Sequence, residues 1–99
     1  MHTPQYTAIQ LVQGIKLRSE ESLIYRFQMS MKGLSALANR ERIDDFFLTQ
    51  LASELFSQGW CMFQVTHTSY CFISIEKSQK WRKLSGSRIV ESIQQQGEV

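Results

Sequence analysis

Ninety-nine residues, 42% hydrophobic and 20% charged with a formal net charge of +2, are enough for one small folded core and exclude a disordered body. No apolar run approaches the roughly 20 residues needed to span a bilayer. The opening MHTPQYTAIQ has no basic region leading into an apolar one, so the expectation is a cytoplasmic protein without membrane contact. Charge is unevenly placed: residues 1–76 carry six Lys/Arg and seven Asp/Glu, a net of −1, while residues 77–99 carry five and two, a net of +3.

Residues 1–5, with the only proline at Pro4, read as frayed. From Tyr6, Ile9, Leu11, Ile15 and Leu17 fall on one side of a period-two pattern, with Gln10, Lys16 and Arg18 on the other. This spacing predicts a strand with a bulge at Gly14. After the polar turn at 19–22, Leu23, Tyr25, Phe27, Met29 and Met31 alternate with Arg26, Gln28, Ser30 and Lys32. That predicts a second strand with one buried face, closing a hairpin with the first. Gly33 ends it, and 34–38 reads as a short helical turn leading into the next element.

Residues 43–59 carry the clearest pattern. Ile43, Phe47, Leu51 and Leu55 recur every four residues, which lays an apolar stripe on one face of a helix. Asn39 is the candidate N-cap, the acids Glu41, Asp44 and Asp45 suit the positive end of the helix dipole, and Gly59 can end the helix in a left-handed conformation.

WCMFQV, THTS and YCFISIE follow as a second hairpin. A three-residue loop puts Cys61, Phe63, Val65, Cys71, Ile73 and Ile75 on one face. A four-residue loop replaces the last three with Tyr70, Phe72 and Ser74. Either way 70–75 is apolar on both sides, as expected of a central strand or one that lines an interface. Cys61 is expected opposite Ser74 or Ile75, too far from Cys71 for a disulfide, so both read as free thiols. Residues 77–86 are polar and basic, and a short helix follows, with Ser87 as its cap and Ile89, Val90 and Ile93 on its apolar side. The predicted fold is therefore α+β in the order β-β-α-β-β-α. It is one domain over 1–99, a four-stranded, mainly antiparallel sheet with one principal helix and a short C-terminal helix packed on it.

Catalytic chemistry is weakly supported. His67, in a hairpin loop near two thiols, suits a solvated turn far better than a Cys–His nucleophile pair. Adjacent carboxylates Asp44 and Asp45 point about 100° apart on a helix and suit the dipole better than acid–base work. Two cysteines and one ordered histidine do not make a four-ligand metal site, and no phosphate-binding glycine motif occurs. No enzyme activity and no cofactor are expected.

Two binding surfaces stand out. Trp60, Met62, Tyr70 and Phe72, with Phe46 and Phe56, exceed what one sheet face and one stripe need, and residues of this type are enriched at interface centres. They point to a non-enzymatic binding or regulatory protein that acts by protein–protein contact and self-associates, as a homodimer, through the second hairpin. The alternative is a nucleic-acid-binding regulator. Lys77, Lys80, Arg82, Lys83 and Arg88 surround Trp81 with no acid between Lys77 and Arg88, and cations with an indole can meet phosphates and an unpaired base.

Overall fold

The computed structural model describes residues 1–97, so residues 98 and 99 of the predicted C-terminal segment lie outside the described residues. The order is α1 (Pro4–Arg18), β1 (Arg26–Ser30), α2 (Met31–Ala38), α3 (Asp45–Ser57), β2 (Trp60–Thr66), β3 (Ser69–Ser74), α4 (Ile75–Ser78) and α5 (Gly86–Gly97). The expected four-stranded sheet with one principal helix and a short C-terminal helix packed on it is thus corrected, among the described residues, to a three-stranded antiparallel sheet, in the order β1-β3-β2, and five helices.

The correction starts at the first element. Thr3 accepts a hydrogen bond from the Tyr6 N–H at 3.1 Å, and Pro4 occupies the first turn. Together these are a helix start. Ala8, Leu11, Val12 and Ile15 are buried at i, i+3, i+4 and i+7, the helical period. Ile9 and Leu17, on which the period-two pattern leaned, are 46% and 67% exposed. Residues expected to fray are tied down, since the His2 N–H donates to the Ala38 carbonyl at 2.9 Å and Arg40 Nε to the His2 carbonyl at 3.0 Å.

The second expected strand is cut short for a similar reason. Ser30 Oγ accepts from the Gly33 N–H at 3.0 Å, capping α2 so that Met31 opens a helix instead of extending the strand. Asn39, expected to start the main helix, ends α2 in the left-handed region at φ 51. The cap of α3 is Asp44, whose Oδ1 accepts from the Phe47 N–H at 2.7 Å. Gly59 follows α3 at φ 91, a conformation that costs glycine little.

The helix α3 and the hairpin β2–β3 stand near their expected places, except that Ile75 and Glu76, expected in the strand, open helix α4. β3 is the central strand. Cys61 pairs with Ile73, one place short of the expected Ser74, and Phe63 with Cys71 in the same register, which shifts only beyond them, between Gln64 and Thr66. Cys61, Phe63, Cys71 and Ile73 therefore share the outer face, as in the three-residue-loop register, and both cysteines are free. The inner face presents Phe27, Met62, Tyr70 and Phe72, and the helices cover it. The core joins Ala8, Leu11, Val12 and Ile15 of α1, Leu34 and Ala38 of α2, and Phe47, Leu51 and Leu55 of α3 to Trp60, Tyr70 and Phe72. Burial of each large side chain contributes about 1.5–3 kcal/mol.

Candidate functional site

Trp60, Tyr70 and Phe72 belong to that core, and Met62 is half-buried against it. Phe27 stacks on Phe72 with ring centroids 4.7 Å apart and tilts against Trp60 at 5.7 Å. The four hairpin residues read from the sequence as an interface thus face the helices. Among them Tyr70 carries a hydroxyl. Its hydroxyl is buried without a hydrogen-bond partner, and burial, helped by the carboxylate of Asp45, raises its pKa above the ordinary 10.0.

The outer sheet face is where the hairpin meets residues after α4. Arg26, Phe63, Cys71, Ile73 and Trp81 line a hollow of about 370 Å³. Ile73 is buried there, while Phe63 and Trp81 remain about half exposed. Trp81 therefore sits beside the sheet, in a hollow that the cations around it in sequence do not line.

Those cations divide. Arg82, Lys83 and Arg88 line one shallow hollow with Ser85 and Ser92 at the start of α5, whereas Lys77 and Lys80 do not take part. The Ile89 N–H donates to the Ser85 carbonyl at 3.2 Å, so Ser85 occupies the cap position one turn before Ile89, where Ser87 was expected. Lys80, Arg82, Lys83 and Arg88 are exposed and Lys77 is half-buried.

Three further surfaces are uncovered: a groove was not read from the sequence, Phe46 and Phe56 were read as surplus interface aromatics, and the last helix was expected to pack on the sheet. A groove of about 330 Å³ between α1, β1 and α2 is lined mainly by Leu11, Gly14, Ile15, Phe27, Met29 and Leu37. Its one early signal was Gly14, which leaves the helix face bare there. Phe46 and Phe56, 73% and 63% exposed, lie on the solvent side of α3 with Thr49 and Ser53 between them. Helix α5 is exposed along its whole length, including Ile89, Val90 and Ile93. Among the described residues no cluster of three or more His, Cys, Asp or Glu could hold a metal, and no helix is long and apolar enough to cross a membrane. Comparison with protein-family models, with curated proteins and with solved structures found no match.

Proposed function

We propose that this chain is a small non-enzymatic binding domain that works by protein–protein contact, its own copy included, in the cytoplasm. The observation that carries this reading is uncovered surface. The accessible area is 7695 Å², against about 5,800 Å² for a compact monomer of this mass. The radius of gyration is 17.3 Å, against about 13 Å for a compact chain of this length. The apolar residues Phe46, Phe56, Ile89, Val90 and Ile93 are part of that surface, and soluble monomers rarely leave so much of it open. Two unbridged cysteines suit a reducing compartment.

A second reading, nucleic-acid binding, is favoured by two observations. Helices α2 and α3, joined by residues 39–44 and followed by the hairpin β2–β3 in a β1-β3-β2 sheet, have the topology of a winged helix-turn-helix. That motif often lays its second helix in the major groove. Arg82, Lys83 and Arg88 also converge at the start of α5, where backbone N–H groups favour an anion. Charge on α3 weighs against the motif's usual use. The helix DFFLTQLASELFS holds Asp45 and Glu54 and no Lys or Arg, and its exposed side offers phenylalanines where cations would meet phosphates.

The deciding experiment pairs sedimentation of the purified chain over a dilution series with titration of labelled single- and double-stranded oligonucleotides at low salt. Self-association without oligonucleotide binding supports the protein-contact reading. Oligonucleotide binding by a monomer replaces it with the second, provided the log–log salt slope is about −0.7 to −0.9 per phosphate met and flattens in the Arg82→Ala, Lys83→Ala double variant.

A further inference from the structure

Helix α5 and the groove between α1, β1 and α2 both lack a cover, and they are complementary in kind. Helix α5 spans 12 residues, and isolated helices shorter than about 12–15 residues are marginal in water. Ile89, Val90 and Ile93 lie within about 100° of arc on its circumference, with Arg88 and Glu91 turned to the opposite side. Such a helix gains stability by laying its apolar side on another surface. None of its residues is covered, and the chain stretches to 57 Å along its longest axis.

The groove between α1, β1 and α2 is the matching concavity. Its lining is almost wholly apolar, with Gln10 and Arg18 as the polar exceptions. At its floor Gly14 leaves open space, because a Cβ added there meets nothing within 4 Å. A helix can therefore come close to α1 at this point.

We propose that α5 of a second copy of this chain docks its Ile89–Val90–Ile93 side into this groove, reciprocally, as a two-fold exchange. The inference rests on the protein-contact reading and adds the surface and the partner. Reciprocity follows from the presence of both halves on one chain: a two-fold axis covers two helices and two grooves by repeating one contact. Area supports a second copy as the occupant. The excess over a compact monomer is roughly 1,900 Å² per chain, more than the roughly 800 Å² per partner that a stable interface buries.

The test uses the full chain and two single variants, each measured by sedimentation over a dilution series. Ile93→Asp puts a carboxylate on the docking side of α5. Gly14→Leu puts an apolar side chain into the groove from a position where the added Cβ meets no atom within 4 Å, and it replaces a poor helix former with a good one, so its circular dichroism and melting should match or exceed wild type. The wild-type chain is expected to dimerise on concentration, and each variant to raise the dissociation constant at least tenfold. Mixing the two variants restores one of the two contacts, since the intact helix of Gly14→Leu can enter the intact groove of Ile93→Asp. The mixture should therefore associate more tightly than either variant alone. A wild-type chain that stays monomeric at every concentration overturns this inference together with self-association. A dimer indifferent to both variants, or one that Ile93→Asp breaks while Gly14→Leu does not, overturns the groove alone and leaves the protein-contact reading standing.

Discussion

Tyr70 places a phenol where the core can use its ring and cannot satisfy its hydroxyl. A buried polar group without a partner costs about 1–3 kcal/mol in lost hydration. Tyr70→Phe keeps the ring and removes that loss, so chemical denaturation should show stability unchanged or raised. The same residue sets a pH limit. Its pKa is raised in the fold by burial first and by Asp45 second, so the folded chain holds the phenolic proton more tightly than the unfolded one. This stability is fully present below 10.0, the unfolded value, and declines as pH rises from there through the folded pKa. Tyr70→Phe should remove that part of the alkaline decline, and an identical decline in both proteins would show that Tyr70 does not cause it. Leu51, fully buried between the helices and the sheet, should behave more simply. Leu51→Ala should lower stability by about 2–5 kcal/mol, read from the shift in denaturation midpoint.

At the scale of elements, legibility in the sequence followed how many independent signals agreed. For α3 the stripe Phe47, Leu51 and Leu55, the acids before it and Gly59 after it all point the same way, and the helix stands at Asp45–Ser57. The hairpin β2–β3 was readable because 70–75 is apolar on both sides, which left a central strand or one lining an interface, and the strand is central. For α1 two periods coexist in one stretch. Ile9, Leu11, Ile15 and Leu17 alternate, while Ala8, Leu11, Val12 and Ile15 follow a helical stripe, and the decisive pointers were Thr3 and Pro4, which lie just before it. Ser30 did the same at the β1–α2 junction, where one hydroxyl turns an alternating run into a helix. The binding surfaces were less legible than the fold, because an aromatic in a strand has the same letters whether it faces a helix or a partner. Trp60, Tyr70 and Phe72 face a core of helices, and of these α1 comes only with the corrected order. Gly14 tests the reading of α1. In mid-helix with room for a methyl group, Gly14→Ala should stabilise by about 0.5–1 kcal/mol, whereas a bulge would be damaged by it.

Among the described residues the molecule is a compact body of four helices and three strands joined to an exposed helix by residues 79–85, and Lys80, Arg82, Lys83 and Arg88 lie along that join and at the start of α5. Its surplus surface and its basic excess therefore fall in the same part of the chain, where α5 separates from the rest. That separation has a consequence for how long the protein survives. Lys80, Arg82, Lys83 and Arg88 are exposed in a stretch where local opening requires little disruption of the core. Trypsin should cut there first and release α5 while the body stays resistant, with the fragments read by mass spectrometry. Docking of α5 would hold this stretch closed in proportion to assembly, so the cutting rate should fall as the protein is concentrated at a fixed protease level. Dilution would then become a route to destruction: surplus solitary copies would be clipped while paired ones persist, and abundance would be set by proteolysis of whatever fails to find a mate.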